Sequence, residues 1–96
     1  MKIDFTKTES VLTVNLEGRL DTVTAPELEG FIATNLAETK EVIIDCEKLE
    51  YISSAGLRVL LSAHKKMSGA LKLINVCEIV MEVLEITGFV DILTIE

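Results

Sequence analysis

The residues that could carry chemistry are centred on two serines, Ser53 and Ser54, at the point where a loop is predicted to become a helix. A serine hydroxyl becomes a nucleophile when a base lies within hydrogen-bond reach. A Ser-His-Asp set could be assembled from Ser54, His64 and Asp21. However, His64 follows Ser54 by about ten residues on the same predicted helix, which separates them by roughly 15 Å. The spacing therefore predicts no catalytic triad.

The other components of an active site are missing from the sequence as well. His64 is the single histidine, and no cysteine or second histidine stands at the spacing of a zinc site. No glycine-rich phosphate-binding loop is present, and no spacing brings two of the carboxylates to one point. We therefore expect a protein that is not an enzyme and that uses no cofactor and no metal ion.

Two cysteines, Cys46 and Cys77, are too few for a disulfide scaffold. Cys46 lies in an apolar run and is interpreted as a small residue of the core. Cys77 opens a predicted helix, where a thiolate could be favoured. We expect both to be inert thiols.

The serine pair also has a structural interpretation. Ser53 can be the N-cap of the helix, with Ser54 as its first residue. Gly56 is then left to explain, because glycine is unfavourable in the first turn of a helix. A close approach of another backbone, or of a partner, would account for it.

Strands alternate with helices in the hydrophobic pattern of the chain. Strands are predicted at residues 2–6, 11–16, 41–46, 71–76 and 91–95, with a turn at residues 9–10 and the second strand ended by Glu17 and Gly18. The first helix is predicted to start with a capping box formed by Thr24 and Glu27. A loop over residues 47–51 leads to the serine pair and the second helix, and the third helix covers residues 77–87, followed by Gly88 as its terminating residue.

This order of elements, β-β-α-β-α-β-α-β, predicts the fold class. Strands joined through helices pair in parallel with right-handed crossovers, and the opening hairpin adds an antiparallel pair. We expect an α/β fold with a mixed, mostly parallel sheet and helices packed on it. A chain of 96 residues corresponds to one domain, residues 1–96.

The charge of the chain restricts its partners. Nine Lys and Arg residues against sixteen Asp and Glu residues give a net charge of −7. Nucleic acids and anionic membranes are bound through cations, so neither is expected as a partner, whereas a basic protein surface would suit. No targeting signal and no apolar run long enough to span a membrane are present, and we expect a cytoplasmic protein.

The run around the serines, Tyr51-Ile52-Ser53-Ser54-Ala55-Gly56-Leu57-Arg58-Val59-Leu60, resembles the signature of the anti-sigma factor antagonists, whose fold is the STAS domain. Four further stretches resemble this family in the same order along the chain. They are residues 14–21, which end in Gly-Arg-Leu-Asp, residues 42–45, residues 73–76 and residues 83–89. The resemblance covers nearly the whole sequence.

The resemblance implies a switch in transcription regulation that works by exchange of partners. An unphosphorylated member binds an anti-sigma factor and so frees a sigma factor, and the anti-sigma factor is commonly a serine kinase that inactivates its antagonist. A serine phosphatase reverses the phosphorylation. The phosphorylated serine of the family corresponds to Ser54, and Asp21 corresponds to an acidic residue on the same surface. We expect the partner to contact residues Asp21, Ser53, Ser54, Gly56 and Arg58.

Two positions of the signature differ from the family pattern. Ser53 stands where Asp is common, which makes it a second candidate for the phosphorylated residue, and Arg58 stands where a small residue is common. The first difference leaves an alternative open: a STAS scaffold, or a subunit accessory to a transporter, that binds constitutively and is not phosphorylated.

Overall fold

The structure, a computed structural model, describes all residues from Met1 to Glu96, and it has the predicted order of elements. The strands are β1 (Lys2–Thr8), β2 (Val11–Leu20), β3 (Glu41–Ile52), β4 (Leu71–Ile74) and β5 (Thr94–Ile95). The helices are α1 (Ala25–Asn35), α2 (Ser54–Lys66) and α3 (Glu78–Ile86), and a 3-10 helix follows at Phe89–Asp91. None of the helices is long and apolar enough to cross a membrane.

The strands form one sheet in the order β1-β2-β3-β4-β5. β1 is antiparallel to β2, and the pairs β2-β3, β3-β4 and β4-β5 are parallel. The prediction of a mixed, mostly parallel α/β fold is confirmed. Because parallel strands end at the same edge of a sheet, the segments that follow β2, β3 and β4 all emerge on one edge.

Alternation along the strands places the apolar residues of the sheet on one face. Leu12 pairs with Val42 and Val14 with Ile44, and all four are fully buried, whereas Thr13 between them is half-buried. The buried side chains of the helices join this face in one core that contains no buried polar side chain. Burial of this kind contributes about 25 cal/mol per Å² of apolar surface, so the fold is held together by its aliphatic interior.

Cys46 belongs to this core, as predicted, with 1% of its surface exposed. Burial, which disfavours the thiolate, raises the pKa of its thiol to about 12. Cys77 is half-buried at the start of α3, and its thiol donates a hydrogen bond to the Leu49 carbonyl oxygen at 3.4 Å. Both cysteines are free thiols.

Two predicted strand ends were wrong, because β2 and β3 are both longer than the pattern indicates. β2 continues past Gly18 to Leu20, and the predicted loop over residues 47–51 is part of β3. The pairing of the two strands shifts register twice, between Asn15 and Glu17 and between Gly18 and Arg19. Both shifts put an extra residue into β3, which changes the phase of its alternation and hides a continuous strand from a period-two pattern. In β2 the buried residues Leu16 and Leu20 stay in phase, and the predicted end had rested on Gly18.

The last predicted strand was also too long, since only Thr94–Ile95 pair with β4. Gly88 adopts φ 79°, in the left-handed region, and ends the preceding helix as predicted. The chain then forms the 3-10 helix instead of a strand, with Phe89 packed against the core.

Candidate functional site

The serine pair lies at the edge of the sheet where β2 and β3 end side by side. Leu20 and Ile52 are the last residues of these strands and are partners in the parallel register. The backbone amide of Ser53 donates to the Leu20 carbonyl oxygen at 2.9 Å. Asp21, the residue after Leu20, is thereby brought next to the start of α2, although it is more than thirty positions away in the chain.

Ser53 and Ser54 differ in how they are held. Ser53 is the N-cap of α2, as predicted, with extended backbone (φ −103°, ψ 175°), and its hydroxyl oxygen accepts a hydrogen bond from the Gly56 amide at 3.5 Å. Ser54 is the first residue of the helix, is exposed, and has no hydrogen bond through its hydroxyl within the chain. The Ser54 hydroxyl is therefore open to a reagent from solution, while that of Ser53 takes part in the helix cap.

Asp21 is held by the turn that leads into α1. Its Oδ1 accepts hydrogen bonds from the amides of Val23 at 3.0 Å and Thr24 at 3.1 Å, and lies 3.2 Å from the Thr24 hydroxyl oxygen. The hydrogen bond from the Thr24 amide holds the pKa of Asp21 below its ordinary value. The site therefore carries a fixed negative charge next to the serine pair.

The predicted capping box at Thr24 and Glu27 was wrong. The Thr24 hydroxyl donates to the Arg19 carbonyl oxygen at 2.7 Å and accepts from the Asp21 amide at 2.8 Å. It makes no side-chain cap bond to the helix. Its hydroxyl instead ties the end of β2 to the start of α1, so the two residues Asp21 and Thr24 form one turn that positions the carboxylate.

Gly56 meets a neighbour within the chain. It is buried, and a Cβ atom added there would lie 2.6 Å from Leu20 Cγ and 3.0 Å from the Leu20 carbonyl oxygen. The close approach that was predicted is therefore that of β2 to the first turn of α2. Because Gly56 is buried under Leu20, it positions the serine pair and offers little surface to a partner.

Two arginines flank the serine pair. Arg58, four residues after Ser54 and so on the same side of α2, is exposed and forms no ion pair within the chain. Arg19 lies over the ring of Tyr51, 4.2 Å from its centroid, and its Nε is 3.8 Å from an Asp21 carboxylate oxygen. Sequence reasoning missed Arg19 and Tyr51, because only the shifted pairing of β2 with β3 makes them neighbours.

His64 is far along α2 from the serines. Ser54 opens this helix and His64 lies two residues before its end, so the histidine is not a base for Ser54. Nor does any group of three His, Cys, Asp or Glu side chains stand where it could hold a metal ion. The start of α2 thus has an exposed hydroxyl at Ser54, with the carboxylate of Asp21 at the end of the neighbouring strand and the guanidinium of Arg58 one turn along the helix.

Comparison with known proteins identifies the family. The sequence model of the STAS domain matches residues 2–96. BtrV of Bordetella bronchiseptica is 35% identical over 96% of this chain and 83% of its own. The anti-sigma-B factor antagonist of Bacillus subtilis is 30% identical over 99% of this chain and 90% of its own.

Solved structures agree in fold. An anti-sigma factor antagonist from Mycobacterium paratuberculosis matches with a TM-score of 0.87 and 23% identity over 98% of this chain and 83% of that one. The Bacillus cell fate determinant SpoIIAA, solved in its phosphorylated form, matches with a TM-score of 0.75 and 18% identity over 99% of this chain and 91% of that one. The chain therefore belongs to the STAS domain family and, within it, to the anti-sigma factor antagonists, which are switch proteins rather than enzymes.

Proposed function

We propose that the unphosphorylated chain binds an anti-sigma factor through the surface around Ser54, so that a sigma factor is released, and that phosphorylation of Ser54 ends this binding. The anti-sigma factor acts as the serine kinase, and a serine phosphatase restores the active form. Membership of the antagonist family supports the partner. The exposed, unbonded hydroxyl of Ser54 at the start of α2 is the observation that carries the proposal.

The choice of Ser54 over Ser53 rests on what each hydroxyl does in the fold. A kinase must bring its phosphate donor to a free hydroxyl, and Ser54 offers one. Phosphorylation of Ser53 would use an oxygen that already accepts a hydrogen bond from the Gly56 amide. Modification at Ser53 therefore has to break an existing hydrogen bond, which modification at Ser54 does not.

A phosphate on Ser54 is expected to act on the interface and not on the fold. It adds about −1.5 to −2 charges at a helix N-terminus, where the helix dipole favours an anion by about 0.3–1 kcal/mol. A partner docked over Ser54 would bury this dianion beside Asp21, and burying an uncompensated charge costs several kcal/mol. Full reversal of a two-state equilibrium needs about 5.5 kcal/mol. The cost of desolvating the phosphate approaches this value, whereas the contribution of the helix dipole is much smaller.

The proposed contact surface consists of Asp21, Ser53, Ser54 and Arg58, which surround the start of α2. The carboxylate of Asp21 is negative and the guanidinium of Arg58 is positive, and a partner can pair with both while Ser54 is uncharged. Gly56 is left out of the contact surface because it is buried under Leu20.

The test begins with the protein isolated from its own cells under several growth conditions. Intact mass and peptide mapping then show whether a phosphate is present and where. A phosphate on Ser54 that appears and disappears with growth conditions supports the proposal. A phosphate on Ser53 would mean that Ser53, not Ser54, is the phosphorylated residue. No phosphate under any condition would favour the constitutive scaffold or the transporter-accessory subunit.

Binding to the anti-sigma factor of the same organism is the second measurement. Since each 1.4 kcal/mol is a factor of ten in affinity, Ser54→Asp should bind at least about a hundredfold more weakly, whereas Ser54→Ala should bind as the wild type does. Ser68→Asp is the matched control, because Ser68 is an exposed serine beyond the other end of α2 and receives the same charge. Equal binding by Ser54→Asp and Ser54→Ala would contradict the switch.

A further inference from the structure

The exposed large apolar side chains of this chain are not evenly distributed. Six are exposed in all, and four of them fall between residues 79 and 92. Ile79 and Ile86 lie on α3 with 60% and 85% of their surfaces exposed. Val90 lies in the 3-10 helix that follows, and Ile92 lies at its end. Isolated exposed apolar residues are ordinary on protein surfaces, but a concentration of them marks an interaction site. We call these four residues the α3 patch.

Helix geometry places the two isoleucines of the patch together. Ile79 and Ile86 are seven residues apart, which is two turns, so their side chains point in the same direction. Val83 lies between them and is half-buried, and Val80 and Leu84 on the adjacent side of the helix are buried in the core. The exposed stripe is therefore continuous with the hydrophobic interior and follows the helix for about two turns.

The charges next to the patch are mostly negative, since the cavity beside Ile79 is lined by Glu17, Glu47 and Glu50, with Lys48 as its one cation. Glu78, Glu82, Glu85 and Asp91 are exposed, and no Lys or Arg occurs in the chain after Lys72. None of these four acids takes part in an ion pair within the chain, because the three ion pairs of the structure involve other residues. A second copy of this chain would bring the same acids against them, so self-association through the patch is opposed by repulsion.

Two features of the acids on α3 are unfavourable for this helix, although Glu78 in its first turn is placed where the dipole favours an anion. Glu78 and Glu82 are four residues apart, and like charges at this spacing destabilise a helix. Glu85 lies in the last turn, where the dipole favours cations and where α3 has none. The exposed isoleucines and the unpaired acids of α3 do not stabilise the isolated chain. A partner with apolar and basic residues would bury the isoleucines and pair with the acids.

We propose that the α3 patch is a docking surface for an amphipathic helix of a partner protein that presents apolar residues flanked by Lys or Arg. Apolar anchors supply the affinity in this mode of recognition, and the surrounding acids steer a basic partner and reject an acidic one. The surface is distinct from the start of α2, so its occupation does not depend on the state of Ser54.

The test uses the full chain and a fluorescent, amphipathic Leu/Lys peptide of about four helical turns, with binding followed by anisotropy. The wild type should bind it, and Ile79→Ser with Ile86→Ser should weaken binding at least tenfold. Val23→Ser is the matched control, because Val23 is 81% exposed and lies outside the patch, and it should leave binding unchanged. Should the double variant lose its fold, Ile86→Ser alone serves, since this side chain is almost fully exposed.

Charge is tested separately with Glu82→Lys and Glu29→Lys, two exposed positions that change the net charge equally. Only Glu82→Lys should weaken binding of the Leu/Lys peptide, and a Leu/Glu peptide should not bind the wild type. Ser54→Asp should bind the Leu/Lys peptide as the wild type does, which separates this proposal from the phosphorylation switch. No binding by the wild type at low salt, equal binding by the patch and control variants, or a dimer dispersed by Ile86→Ser would overturn the proposal.

Discussion

Ser53 and Ser54 are neighbours in the chain, but the fold gives them different tasks. The Ser53 oxygen satisfies the Gly56 amide at the start of α2, and the Ser54 hydroxyl is left to solvent. A cap must be retained for the helix to begin, whereas the next residue can be modified without breaking a hydrogen bond. On the proposed mechanism, a phosphate on Ser54 would therefore change the surface of the protein while its structure is kept.

Asp21 provides a prediction at the same scale, because its charge is held by hydrogen bonds. The Thr24 amide lowers its pKa from the ordinary value of 3.8, so the folded state favours the carboxylate. This contribution to stability is complete above pH 3.8 and is lost as the pH falls through the lower, folded-state pKa. Asp21→Asn should therefore melt below the wild type at neutral pH.

Thermal melts of both proteins over a series of pH values check this prediction. The difference in melting temperature between wild type and Asp21→Asn should shrink in acid, where the wild type also loses its charge. Asp4→Asn is a suitable control, because Asp4 is exposed on β1 and forms an ion pair with the exposed Lys2 at 3.7 Å. A difference that stayed constant with pH would show that the Asp21 charge has no role in the turn.

At the scale of the elements, the junction of β2 with α2 is closely packed. Gly56 lies so near Leu20 that an added Cβ would overlap its Cγ at 2.6 Å, while an added Cβ at Gly30 in α1 would meet nothing within 4 Å. Gly56→Ala should lower the free energy of unfolding by about 1–3 kcal/mol, as overpacking does. Gly30→Ala should raise it by about 0.5–1 kcal/mol, because alanine is the better helix former.

Urea unfolding of the two glycine variants distinguishes this packing from a general preference for alanine in helices. Opposite signs of the change are expected for the two sites. If Gly56→Ala were as stable as the wild type, Leu20 would have room to move, and the position of the serine pair would depend less on β2 than we infer.

The elements also show which features are readable from sequence. Strands with regular alternation and the cap at Ser53 depend on neighbouring residues, and they were predicted. The second half of β3 was missed, because register shifts place Glu47, Lys48 and Glu50 in a strand where they break the period-two pattern. The end of β2 was missed because Gly18 is typical of a strand end, although the strand continues to the buried Leu20. The contact of Arg19 with Tyr51 and the role of Thr24 arise only after these strands pair, so no local pattern could indicate them.

At the scale of the whole molecule, the proposed switch at the interface predicts that phosphorylation of Ser54 leaves the fold intact. Ser54→Asp adds a negative charge where the dipole of α2 is favourable, by about 0.3–1 kcal/mol. For a domain of this size 1 kcal/mol corresponds to roughly 4–8 °C in melting temperature. Ser54→Asp should thus melt at or a few degrees above the wild type, as measured by circular dichroism.

Ser68→Asp tests the direction of this effect. Ser68 follows the C-terminus of α2, where the dipole disfavours an anion, so this variant should melt at or slightly below the wild type. A Ser54→Asp variant that melted far below both would mean that the phosphate acts by unfolding α2, and the proposed mechanism at the interface would then be wrong.

The rate at which a thiol reagent labels Cys46 reports how often the folded molecule opens. Its thiol is 1% exposed and is disfavoured from ionising by its surroundings, so a thiol reagent can reach it only during excursions in which β3 separates from the helices. The half-buried Cys77 should react on a much faster timescale. The slow phase of labelling, that of Cys46, would therefore follow the population of globally opened molecules. A bound partner or a modified Ser54 would change the rate of this phase, so that the effect of either on opening can be measured without a substitution in the chain.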